Sequence, residues 1–136
     1  MVDISLGTRT TEHVMDHFEH ERLDVYKAAI AFLALVDEIL ERLPKGRGHL
    51  ADQLERAATS ILLNIAEGAG EFATNEKARF YRMARRSATE CAAVLDLCRT
   101  RKLVPEDRLD VGRDLLVRIV AMLTRMILNS TDKASA

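Results

Sequence analysis

Four stretches of the chain repeat apolar residues at steps of three and four, the spacing that gathers side chains on one face of an α-helix. In the first, Val25, Ala28, Ala29, Phe32, Val36, Ile39 and Leu43 recur in this way, with Asp24 placed to cap the helix. The breaker cluster Pro44-Lys45-Gly46-Arg47-Gly48 ends it. The second stripe is Leu50, Leu54, Ala57, Ala58, Ile61 and Ile65, with Gly68 and Gly70 offering a stop. The third runs through Phe80, Ala84, Ser87, Cys91, Val94, Leu95 and Cys98. Thr74 stands as its N-cap, Glu76 lies in its first turn and Arg99, Arg101 and Lys102 close it, charges that suit the helix dipole at both ends. The fourth opens at Pro105-Glu106-Asp107 and carries Leu109, Leu116, Ile119, Val120, Leu123, Met126 and Ile127.

This pattern predicts helices over about 23–43, 48–70, 75–102 and 105–129, joined by short loops. The expected fold is all-α, an antiparallel up-down-up-down four-helix bundle occupying residues 21–129. Residues 1–20 read as a polar N-terminal arm, in which only Val14 and Phe18 share a helical face, and 130–136 read as a fraying C-terminal tail. A length of 136 residues suits one domain with a sizeable core. The low aromatic content and two prolines agree with helices rather than a sheet.

The apolar surface is broader than the four stripes need. On the fourth helix Val111, Leu115 and Met122 flank one side of the core positions, and Val117 and Leu128 the other. The first helix has a second edge in Tyr26, Leu33 and Leu40. On the second, Arg56, Ser60, Leu63 and Glu67 form an outward line in which Leu63 is out of place on a monomer. These positions predict a homo-oligomer, with Arg56, Leu63, Val111, Leu115 and Met122 as candidate interface residues. A broadened core contact within one chain is the alternative.

Charge narrows the function classes. Twenty basic residues against twenty-one acidic ones give a net charge of −1, so no global field favours nucleic acid or an anionic membrane. A basic surface has to be local, and the third helix supplies one: residues 74–102 hold eight basic groups and three acidic ones. Arg79, Arg82 and Arg86 fall in one outward sector; with Arg85 they are the candidate nucleic-acid-binding residues. Tyr81 and Phe72 would stack on bases if exposed. The alternative is a solvated face paired to neighbouring acids.

Catalytic chemistry finds little purchase. His13, His17 and His20, with Glu12, Asp16 and Glu19, form the one metal-like cluster, but the string lacks the His-Glu-x-x-His order of a zinc site. No pair of Glu-x-x-His motifs, phosphate loop or nucleophile elbow occurs. Cys91 and Cys98, seven apart on one helix, are separated by about 10.5 Å, beyond disulfide reach, and read as buried free thiols. We therefore expect no enzyme, cofactor or metal, and a cytoplasmic protein without a signal sequence or membrane span.

Four strings occur in order: Leu23-Asp24-Val25-Tyr26-Lys27-Ala28-Ala29, Gln53-Leu54-Glu55-Arg56-Ala57-Ala58-Thr59-Ser60-Ile61, Asn64-Ile65-Ala66-Glu67-Gly68 and Glu76-Lys77-Ala78-Arg79-Phe80. Together they resemble the 23S rRNA intervening-sequence (S23-like) four-helix-bundle family, over about Phe18 to Met126. The resemblance implies a bundle that assembles into a ring, commonly a pentamer, and a more remote similarity to the accessory proteins of diversity-generating retroelements, which are basic pentamers that bind nucleic acid and a reverse transcriptase. The chain departs from the family pattern at Glu55, where a second basic residue is usual, and at Leu62-Leu63, where Pro-Ser is usual. Both departures favour assembly over RNA binding. Asn64, Glu67 and Gly68 are assigned to packing and hydrogen bonding at the end of the second helix or between subunits. The expected function is an oligomeric accessory or scaffold protein that contacts RNA or DNA through the third helix. The alternative is a protein-interaction module that docks an unidentified protein and makes no nucleic-acid contact.

Overall fold

A computed structural model of the chain describes residues 18–135, with side chains through residue 131. His13 and His17 of the histidine cluster, and Val14, lie outside the described residues. A short 3-10 turn, Glu19–Arg22, leads into α1 (Asp24–Arg42), followed by α2 (Gly48–Ala69), α3 (Thr74–Thr100) and α4 (Glu106–Ser135). α1 packs on α2, α2 on α3, α3 on α4, and α4 returns to α1, while diagonal pairs bring no Cα atoms within 8 Å of each other. Side chains meet across two of these seams: Gln53 with Glu90 and Ser60 with Ser87 between α2 and α3, and Arg85 with Thr124 between α3 and α4. The result is a four-helix bundle centred on Phe32, Ile39, Leu54, Ile61, Ile65, Leu109, Ile119 and Leu123, all fully buried.

The helix ends follow local chemistry. Pro44 disfavours helical backbone in the residue before it, and Leu43 is extended at φ −68° and ψ 134°, which terminates α1. The N-cap positions differ from expectation. Leu23 and Ala73 cap α1 and α3 without a side-chain hydrogen bond, and Asp24 and Thr74 are the first helical residues instead. Asp24 then acts through its charge at the positive end of the helix dipole. α3 ends in a left-handed turn at Lys102 (φ 55°), where the Leu103 N–H donates to the Cys98 carbonyl at 2.9 Å and the Lys102 N–H to that of Arg99 at 3.1 Å. Arg99 spans this turn by pairing with Glu106 and with Asp110 at 2.8 Å.

Two further expectations are corrected. The fourth helix does not stop at residue 129. It continues to Ser135, because Ser130 extends the buried stripe and its hydroxyl donates to the Met126 carbonyl at 2.9 Å, as Thr131 does to Ile127 at 3.0 Å. The buried face of α3 is Ala78, Tyr81, Ala84, Ala88, Cys91, Val94, Leu95 and Cys98. Phe80 and Ser87, expected in that face, are half-buried at its border with α2. Small residues at 78, 84 and 88 let the neighbouring helices approach, and this rotates the buried sector toward Tyr81.

Much of the apparent excess of apolar surface is used within the chain. Tyr26, Leu33, Leu40, Leu115 and Met122 pack against the core as half-buried residues. Leu63 (57 % exposed), Val117 (56 %), Leu128 (57 %) and Val111 remain outside.

Lys102 holds a conformation that costs a residue bearing a Cβ about 1 kcal/mol and costs glycine almost nothing. Lys102→Gly should therefore raise the thermal midpoint by roughly 3 °C in a calorimetric melt. An unchanged or lowered midpoint would show that the turn carries no such strain.

Candidate nucleic-acid interface

The seam between α2 and α3 explains most of the motif residues. Asn64 Nδ2 donates to the Ser60 carbonyl at 2.9 Å and lies 3.0 Å from Ser60 Oγ, and Ser87 Oγ donates to Ser60 Oγ at 2.9 Å. This half-buried ladder satisfies the polar side chains where the two helices meet. One turn further on, Gly68 is buried, and a Cβ there would lie 2.6 Å from Tyr81 Cε1 and 2.8 Å from Cδ1. Gly68 is thus a packing residue in the last turn of α2, as expected of it, and of the two glycines expected to stop the helix it is Gly70 that does so. The helix ends at Ala69, with Gly70 as its C-cap.

Lys77 completes the joint from the other side. Its Nζ donates to the carbonyls of Gly68 at 2.8 Å and Ala69 at 3.1 Å, placing a cation at the negative end of α2, and it lies 5.9 Å from the centre of the Tyr81 ring. The neighbouring motif residues divide their tasks. Ala78 is buried, Glu76 pairs with Arg79 at 2.9 Å, and the Arg79 guanidinium lies 4.7 Å from the centre of the Phe80 ring. The hydrogen bond from Arg79 holds the Glu76 carboxyl below its usual range, and Glu76 raises Arg79 in turn. Glu67 is exposed and has no hydrogen bond or ion pair among the described residues.

The candidate arginines separate into two groups. Arg79, Arg82 and Arg86 share the outer face of α3, spaced by about 4.5 and 6 Å along the axis. Arg82 and Arg86 make no hydrogen bond or ion pair among the described residues. Arg85 is turned toward α4, where Nη1 donates to Thr124 Oγ1 at 3.1 Å. Tyr81, expected to stack on bases if exposed, is 3 % exposed and out of reach of a ligand, because its ring fills the space left by Gly68. Burial pushes its phenol above the ordinary range. Phe72, in the loop before α3, is 100 % exposed.

Among the oligomer candidates, Arg56 Nε donates to the Asp52 carbonyl at 3.4 Å and stays exposed, as do Leu63 and Val111. Of the histidine cluster, His20 stacks on Phe18 with ring centres 5.6 Å apart and meets Tyr26 at 4.6 Å. Among the described residues no group of three or more His, Cys, Asp or Glu is arranged to hold a metal, and no helix is long and apolar enough to cross a membrane.

A ring of four helices with a polar α2/α3 seam and arginines on its outer face defines a small helical-bundle protein. The chain matches the family of the 23S rRNA-intervening sequence protein over residues 21–125, and it belongs to that family. No curated protein matches it.

Cys91 and Cys98 are buried and unpaired. Burial, with a smaller contribution from Glu90, pushes the Cys91 thiol up to about 12, and burial raises Cys98 as well. The native protein should leave a thiol-specific reagent unreacted at about pH 8 and react at both cysteines once denatured. Rapid native labelling would contradict this burial. The sign for stability follows: above the ordinary value of 9.0 the unfolded chain ionises Cys91 and the folded one does not, so its contribution is lost as pH rises toward 12.

Proposed function

We propose that this protein is a non-enzymatic cytoplasmic accessory or scaffold module that assembles into a pentameric ring and contacts RNA or DNA through the outer face of α3. The observation that carries the nucleic-acid part is the state of Arg82 and Arg86, exposed on one face with no anionic partner among the described residues. A guanidinium in that state offers a forked set of donors to phosphate oxygens without first giving up a protein partner. Phe72 adds a ring on which a base can stack. Arg79 contributes less charge, since Glu76 neutralises it. Assembly is supported by Leu63, Val111, Val117 and Leu128, which the core leaves uncovered. The raised cysteine thiols fit a role without nucleophilic chemistry.

A second reading, a protein-interaction module without nucleic-acid contact, draws on the neutralised Arg79 and on the diversion of Arg85 to Thr124. Salt titration separates the two. If phosphates are bound, affinity for RNA or DNA falls linearly on logarithmic axes with salt, and replacing both Arg82 and Arg86 by Glu reduces the slope by about 2 while weakening binding to all sequences alike. Absence of any nucleic-acid shift at low salt, with salt-independent retention of a protein partner, would overturn the first reading in favour of the second.

A further inference from the structure

Two exposed ridges of the chain have complementary patterns when read in opposite directions. On α2, Glu55, Thr59, Leu63 and Glu67 follow one another at steps of four. On α4, Arg113, Val117, Ala121 and Arg125 do the same. All eight residues are exposed, and none of the four charged ones has a hydrogen bond or ion pair among the described residues. The two helices occupy opposite corners of the bundle, with no Cα atoms within 8 Å of each other, and the two ridges are exposed. Their ridges therefore cannot satisfy each other in a monomer.

We propose that the α2 ridge of one copy packs against the α4 ridge of a second copy, with the helices antiparallel. This inference rests on the oligomeric reading above and specifies which surfaces meet. The alignment that puts Leu63 opposite Val117 also puts Glu67 opposite Arg113, Thr59 opposite Ala121 and Glu55 opposite Arg125. The two ends carry opposite charges and the middle is apolar or small. A row of residues at steps of four is the ridge by which helices most often interdigitate, and two such rows pack at a crossing angle near −50°. The receiving surface is recessed where the apolar residue has to enter. Beside Val117 the α3/α4 seam forms a hollow of about 300 Å³ lined by Ala88, Ala92, Leu116, Val117, Val120 and Ala121.

The charge pattern selects a second copy over an unrelated helix, since both members of each opposed pair are present in this chain and left unmatched within it. The contact joins different surfaces of the two copies. It leaves a free α2 ridge and a free α4 ridge at the ends of every open assembly, so it repeats from copy to copy and closes into a ring when the rotation between copies divides a full turn. It also engages Arg113 and Arg125 while leaving Arg82 and Arg86 on α3 uncovered, so assembly and nucleic-acid contact do not compete for the same residues.

The test is a charge exchange read by sedimentation equilibrium, with circular dichroism as the folding control. Glu67→Arg should weaken self-association by about tenfold or more, because it sets two cations against each other. Adding Arg113→Glu should restore most of the loss. Independently, a chain carrying Leu63→Cys and Val117→Cys should form disulfide-linked chains of several copies on mild oxidation, a background that the buried Cys91 and Cys98 leave clean. Self-association that is unaffected by Glu67→Arg and by Leu63→Glu, with no such cross-link, would overturn this interface and leave the oligomeric reading intact. A wild-type protein that stays a single copy at every concentration would overturn both.

Discussion

The close approach of α2 and α3 at Gly68 is the constraint around which the rest of the bundle is arranged. A side chain at that position would collide with the Tyr81 ring, its Cβ falling 2.6 Å from Cε1, so hydrogen is the one substituent the contact tolerates. Because the ring is buried there, the α3 face turns inward at Ala78, Tyr81 and Ala84 and outward at Arg79, Arg82 and Arg86. Lys77 binds the last carbonyls of α2 from the same turn. One steric contact thus fixes the rotation of α3, and the rotation fixes which cations reach solvent.

Burial and exposure on the outer surface then divide the functional possibilities. Half-buried Tyr26, Leu33, Leu40, Leu115 and Met122 thicken the core of a single copy, which leaves a short set of exposed aliphatic residues outside it. Leu63 and Val117 belong to that set, and each stands in a row whose charges have no partner in their own chain among the described residues. The arginines on α3 form a separate surface.

The helices are legible in the sequence because spacing reports burial directly: the stripes of the first, second and fourth helices correspond to buried faces, and Pro44 and Pro105 mark breaks in the chain. The third stripe is displaced from the buried face by one position at both Phe80 and Ser87, where Tyr81 and Ala88 are buried instead, since a run of alanines and polar residues gives periodicity little contrast, and the tightness of the Gly68 contact cannot be seen from either helix alone. The caps of α1 and α3 carry no side-chain signal because Leu23 and Ala73 cap with backbone only. At the candidate interface, the shared outward sector of Arg79, Arg82 and Arg86 is readable from helical geometry. The capture of Arg85 by Thr124 is not, because it depends on which helix stands beside α3. Gly68 and Lys77 carry a usable signal, a glycine inside a helical pattern followed by a lysine at the start of the next helix.

A double-mutant cycle on Gly68→Ala and Tyr81→Leu, followed by urea denaturation, measures the central contact most directly. If the missing Cβ exists to admit the ring, the shortened side chain relieves the clash, and the pair should be more stable than the sum of the single effects by about 1 kcal/mol or more. Additivity within about 0.5 kcal/mol would contradict the claim that this contact sets the orientation of α3.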